Sequence, residues 1–247
     1  MSGNLSPAFF EGVLGGGIQV LVGTPQYGDG TVVRPPEVLI PHPDTAVGDL
    51  MIAVGTFYSG SLQPTVGEQA FWTDRNAVLG TGVAYTWWER IATLDANDTW
   101  TRNNVALNPQ NFFCVVMLTL KKSATQTPAY LQIGTIQTPS STTFPVLGMS
   151  SVANTEKQLV ITFYARQHFS GISYGSSISM GAPANHTVVV SQTGYTTGAG
   201  GFTYSWRGVA ISTAFEGGLE VPADDIPFTP STGSSTTTSM NSRYALA

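Results

Sequence analysis

The chain has 247 residues, of which 42% are hydrophobic and 11% aromatic, enough apolar matter for a packed core, so global disorder is excluded. Only 10% are charged, against about 25% in an average soluble chain, and the polar remainder is Ser, Thr, Asn, Gln and Gly. The net charge is −5 and the basic residues are scattered, with Lys121-Lys122 the one adjacent pair; a nucleic-acid partner, which wants a clustered basic face, is not expected.

Taken from the start, residues 1–36 hold Gly15-Gly16-Gly17, Gly28-Asp29-Gly30 and Pro35-Pro36 and read as an extended N-terminal arm. Met1 to Phe10 shows no basic residues before an apolar run, and the glycines interrupt the apolar stretch leading to Val22. The expectation is no export signal, no membrane insertion and synthesis in a cytoplasm. Within the arm, Ser6 as cap and Pro7 at the first helical position suggest a short helix over Pro7 to Leu14, and Gln19 to Val22 suggests a strand.

From residue 37 to 221 the pattern is that of an all-β domain, an antiparallel, jelly-roll-like β-sandwich. Runs of β-branched and aromatic residues are separated by Gly, Pro, Asn and Asp. The expected strands are Glu37 to Ile40, Asp49 to Tyr58, Gly82 to Ile91, Trp100 to Val105, Phe112 to Lys121, Ala129 to Ile136, Leu159 to Arg166, His186 to Thr193, Thr203 to Ala210 and Ile211 to Phe215. Two stretches echo each other: Leu50 to Gly60 resembles Leu159 to Gly171, and Tyr85 to Ala92 resembles Tyr204 to Ile211. Either the domain is a duplicated half, split at about 37–124 and 125–221, or buried antiparallel strands rich in Tyr and Trp simply look alike. Residues 222–247, with Pro222, Pro227, Pro230 and a Ser/Thr tract, read as a C-terminal arm.

Chemistry is sparse. The histidines His42, His168 and His186 sit in no nucleophile elbow. His42-Pro43-Asp44 with Asp49 could ligate a metal, but prolines on both sides of His42 favour a turn leading into the first core strand; Asp224-Asp225 could hold a calcium ion but reads better as a solvated acidic pair. Alternation over Tyr85-Thr86-Trp87-Trp88-Glu89-Arg90 places Tyr85, Trp87 and Glu89 on one face, and Glu89 beside an arginine reads as an ion pair, with no second acid to complete a glycosidase pair. The lone Cys114 lies in an apolar run and reads as a small buried hydrophobe. Asn97-Asp98-Thr99 and Asn185-His186-Thr187 match the glycosylation sequon. The Gly194 to Gly201 stretch lacks the Lys of a phosphate cradle; Tyr195 within it, Phe202 beyond it and Tyr174 are the candidate binding residues, stacking on a sugar or partner surface, or else pinning loops onto the core.

Several of these segments together carry a resemblance: Val47 to Val54, Tyr85 to Arg90, Asn97 to Trp100, Phe113 to Leu120 and, later, Lys157 to Ile161. Their order is similar to β-sandwich domains in tail, tail-fibre and head-decoration proteins of tailed bacteriophages, over roughly residues 37–220. The turn of Pro-x-Gly-Trp type usual in those domains is replaced here by Gly67 to Trp72. The resemblance implies a structural protein of a virion, a homotrimer or other symmetric oligomer, whose partners are other virion proteins and copies of itself. It implies no catalytic residues and no cofactor. A lectin-like module for a host-surface glycan, serving host attachment, is the alternative, and a sandwich-type glycan hydrolase a more distant one.

Overall fold

The structure, a computed structural model, describes residues 11–14, 18–24, 26–28, 37–39, 41–57, 61–64, 69–75, 84–93, 98–103, 113–122, 128–133, 144–146, 158–169, 179–180, 186–190, 196–197, 203–204, 209–212, 224–226, 228–229 and 234–246. Across these residues the protein is all-β and antiparallel; the one helical element among them is a 3-10 turn at Gln69–Phe71. The first strands are β1 (Glu11–Leu14), β2 (Ile18–Val22), β3 (Gln26–Gly28), β4 (Glu37–Leu39), β5 (Leu50–Phe57), β6 (Ser61–Pro64) and β7 (Thr73–Asp74). There follow β8 (Ala84–Ile91), β9 (Asp98–Asn103), β10 (Phe113–Leu120), β11 (Pro128–Ile133), β12 (Phe144–Val146), β13 (Gln158–Phe169) and β14 (Ser179–Met180). The last are β15 (His186–Val190), β16 (Thr196–Thr197), β17 (Thr203–Tyr204), β18 (Val209–Ser212), β19 (Asp224–Ile226), β20 (Phe228–Thr229) and β21 (Ser234–Leu246).

Two sheets carry the body. One has seven strands in the order β1-β2-β10-β5-β8-β7, with β3 continuing beside β10; the other has five, in the order β11-β21-β13-β18-β15. A three-stranded sheet, β4-β9-β6, and three short pairs complete the described pairing.

The centre of the seven-stranded sheet is apolar on both faces. Consecutive residues Val20 to Val22, Leu50 to Val54 and Val116 to Leu118 are all buried, and since neighbours along a strand point to opposite faces, both sides are covered. Continuous apolar runs, rather than alternation, are what such a doubly covered strand needs. The register is fixed over eight residue pairs on each flank of β5, from Leu50↔Leu120 to Phe57↔Phe113 and from Leu50↔Ile91 to Phe57↔Ala84.

The two sheets have the same internal plan. In the first, counting β2, β5, β7, β8 and β10 in chain order, the sheet order is first, fifth, second, fourth, third. In the second, counting β11, β13, β15, β18 and β21, the order is again first, fifth, second, fourth, third, and every pairing in both is antiparallel. The seven-stranded sheet uses strands from residues 11–120 alone, the five-stranded sheet strands from 128–246 alone. The strands of the first echo occupy equivalent places, β5 pairing with β8 as β13 pairs with β18; of the second, Val209 to Ile211 lie in β18 whereas Tyr204 is in β17, which pairs with β16.

Three expectations change. Glu11–Leu14 is a strand, not the end of a helix: Leu14 pairs with Ile18, and pairing with an inner strand outweighs local helix propensity there; residues 7–10 of the expected helix lie outside the described residues. Residues 1–36 are not wholly an arm, because β2 lies between β1 and β10 with Val20 and Leu21 fully buried. Nor are residues 222–247: β21, thirteen residues long, lies between β11 and β13, in the interior of the five-stranded sheet. Its Ser/Thr-rich start has little to bury alone, but it pairs with β13 from Ser234 onward, and β11 joins over Ser242 to Leu246, so main-chain hydrogen bonds hold the strand in the sheet. Most expected strands are present within a few residues, including β5, β8, β10 and β13.

Leu21→Ala tests whether the segment before residue 36 is core. The expected loss is about 2–5 kcal/mol, as for a leucine truncated in a packed interior, read as a lower urea midpoint; an arm residue would shift it by no more than about 0.5 kcal/mol.

Candidate functional site

Strand β8 sorts its side chains by parity. Trp87 and Glu89 project from one face, and both reach the hydroxyl of Tyr244 on β21: Trp87 Nε1 donates to Tyr244 Oη at 2.8 Å, and Tyr244 Oη donates to Glu89 Oε1 at 2.6 Å. The other carboxylate oxygen, Oε2, accepts from Arg75 Nε at 2.8 Å. Arg75 is placed there by β7, whose Thr73 is opposite Glu89, and by the bond from Arg75 N to Trp87 O. Indole, phenol, carboxylate and guanidinium thus form one directed chain of donors ending on a carboxylate that is 3% exposed. Trp87 and Tyr244 are the largest side chains fully enclosed among the described residues.

A buried ionised carboxylate stands only when donors reach its oxygens. Here both oxygens of Glu89 are engaged, one by a hydroxyl and one by a cation. Glu89 is in an ion pair as expected, but with Arg75 instead of its neighbour Arg90. Arg90, on the opposite face, donates to Thr93 Oγ1 at 2.7 Å and lies over the rings of Phe71 and Trp72, 5.3 and 6.0 Å from their centres.

The second polar cluster is the segment His42 to Asp49. Thr45 N bonds His42 O and Asp49 N bonds Ala46 O, two successive turns. Gly48 takes a φ of +94° in the second, which favours glycine there, and a Cβ at that position would meet Lys122 Cδ at 3.3 Å. Asp49, 2% exposed, accepts from Ala46 N and Lys121 Nζ on Oδ2 and from Lys122 N on Oδ1, each at 2.8 Å. Lys121 Nζ also donates to Asp44 O, and the hydroxyls of Thr45 and Thr119 meet at 2.9 Å. The carboxylate therefore staples the turn to the end of β10. His42 Nδ1 accepts from Asp44 N at 3.1 Å and lies 3.8 Å from the Asp44 carboxylate. The turn expected at His42-Pro43-Asp44 is present.

The candidate binding residues Tyr174, Tyr195 and Phe202 lie outside the described residues. What the structure does place is the flanking pair β16 and β17, with Thr197 opposite Thr203, so that the five residues from Gly198 to Phe202 connect two paired strands. Cys114 is in β10, opposite Thr56 and Tyr27; Asp224-Asp225 is in β19, opposite Val146 and Pro145. No helix among the described residues is long and apolar enough to cross a membrane.

No family model, curated protein or solved structure matches the chain.

Two substitutions probe these clusters. Tyr244→Phe leaves Glu89 Oε1 and Trp87 Nε1 without their shared partner and is expected to cost about 1–3 kcal/mol with little change in volume, measured by chemical unfolding. Gly48→Ala is expected to cost about 1–2 kcal/mol through its backbone conformation, while Lys122→Ala, which keeps the Lys122 N–H bond to Asp49, should stay within about 0.5 kcal/mol.

Proposed function

We propose that this chain is a structural and assembly protein of a tailed-phage virion, a component of the tail, a fibre or the capsid surface that acts through protein–protein contacts. The observation that carries this reading is the closure of its polar core. Glu89, Asp49, Arg75 and Lys121 bind one another, backbone groups and Tyr244, and so hold sheets together. The surface outside is weakly charged, as the 10% charged content requires, and such a surface hydrogen-bonds readily to neighbours with little like-charge repulsion.

In this reading the two large sheets face each other as a sandwich, joined where Trp87 and Glu89 of β8 meet Tyr244 of β21. The shared strand order supports descent from a duplicated half, each half supplying one sheet. A jelly roll of the usual kind interleaves its strands between the sheets, so two like halves laid together describe the connectivity better. Val47, Phe71 and Ile91 are exposed apolar side chains, but singly exposed residues of this kind are common on any surface and add nothing to the proposal.

The direct test is peptide mass spectrometry on gradient-purified particles of the phage whose genome encodes the chain, with the lysate as comparison. The expected result is enrichment of its peptides in step with the known structural proteins. Their loss on purification, with the chain left in the soluble fraction, overturns the reading.

A further inference from the structure

The five-stranded sheet has two unlike faces, and the register of its longest ladder separates them. Strands β13 and β21 pair without a break from Gln158↔Ala245 to Phe169↔Ser234; opposed residues share a face and successive residues alternate between faces. Tyr244 fixes which face is which, because its hydroxyl meets Trp87 and Glu89 of the seven-stranded sheet. Leu159, Ile161, Phe163 and Met240 share its face by register, and they are the apolar set. The opposite face holds Tyr164, Arg166 and His168 on β13, with Ser239, Thr237 and Ser235 directly across from them on β21.

Charge follows the same division. The five strands contain Arg166, Arg243, His168 and His186, and neither Lys, Asp nor Glu. Register puts all four on the face away from Tyr244: Arg243 is opposite Val160, and His186 is opposite Ser212, two residues on from Ala210, the partner of Thr162. In a chain of net charge −5, a sheet face with cations and no acid inverts the local sign. Val160 and Thr162 are fully buried, so that end of the face is covered, and Tyr164, Arg166 and His168 follow at every second position beyond it. An arginine in a dry interior calls for a carboxylate, and no strand of this sheet carries one. A carboxylate brought by a ligand fills that role.

We propose that the stretch of β13 and β21 from Tyr164 to His168 and Ser235 to Ser239 binds an acidic polysaccharide lengthwise, a polymer that bears carboxylates among many hydroxyls. Arg166 provides the planar fork that matches a carboxylate. Tyr164 provides an amphipathic ring, and His168 with the three hydroxyl residues provides donors and acceptors for sugar hydroxyls. Alternate residues of a strand recur at about 6.6 Å, so the row spans more than one sugar ring. A nucleic acid fits less well, since the sheet has two arginines, no lysine and no clustered basic run. This binding goes beyond the assembly role and does not rest on it.

The test is isothermal titration of the full-length protein with three probes of equal length: an oligogalacturonate, a neutral maltodextrin and a single-stranded oligonucleotide. The oligogalacturonate is expected to bind, more weakly as salt is raised, and the other two to bind at least about tenfold less tightly. Arg166→Ala should weaken oligogalacturonate binding about tenfold or more, as for the loss of a charged hydrogen bond, and Arg166→Lys, which keeps the charge without the fork, by less. Gln167→Ala and Thr236→Ala, a pair on the other face, should change it by no more than about twofold. Circular dichroism shows which variants are folded, and Thr237→Ala, opposite Arg166, replaces Arg166→Ala should that variant not fold. No binding of the oligogalacturonate, equal binding of the maltodextrin, or tighter binding of the oligonucleotide overturns the proposal. So does a loss at residues 167 and 236 as large as that at 166.

Discussion

Inside an apolar β-sheet interior an ionised carboxylate is the least tolerable group unless donors reach it, and Glu89 is in that position. Its neighbours on β5 are apolar, with Ile52 directly opposite, so its partners must come from elsewhere. They come from two distant parts of the chain: Arg75, fourteen residues earlier, and Tyr244, 155 residues later. Folding must therefore bring the end of the chain onto β8 before Glu89 is fully satisfied. The cost of leaving it unsatisfied ties the second sheet to the first, and the long reach of that contact makes the native arrangement strongly non-local.

The same logic explains the segment before β5. Asp49 is buried at the point where the chain enters the core, and its donors are the two lysines at the exit of β10. One carboxylate thus fixes the start of the middle strand to the end of its neighbour, and sets which residues of β5 and β10 face each other. Glu89 and Asp49 do for long-range and short-range geometry what the apolar strands cannot, because burial is non-directional whereas these bonds have defined partners.

Much of the fold was legible along the chain. β5, β8, β10 and β13 announce themselves by dense β-branched and aromatic residues, and parity within β8 correctly separated Trp87 and Glu89 from Trp88 and Arg90. The turn at His42 to Asp49 was legible from its prolines. Tyr244 was not, because a Ser/Thr tract precedes it; the period-two apolar positions Met240, Tyr244 and Leu246 were the available signal, and low local hydrophobicity masked a strand that the long pairing with β13 holds in place. Arg75 was missed as the partner of Glu89 because the register of β7 on β8, not sequence proximity, decides which arginine arrives. The hairpin at Glu11 to Val22 was obscured by a helix cap that matters only in the absence of a pairing strand.

The repeated strand order gives these contacts a wider meaning. Two sheets that share a five-strand plan need something that distinguishes face from face and ties one to the other, and the Trp87, Tyr244 and Glu89 chain supplies it. A double-mutant cycle in chemical unfolding with Trp87→Phe and Tyr244→Phe measures that unit most directly. The account predicts strong coupling, about 0.5–3 kcal/mol of non-additivity, because either change alone breaks the shared bond. Losses that simply add would show that the two side chains act independently, and would contradict it.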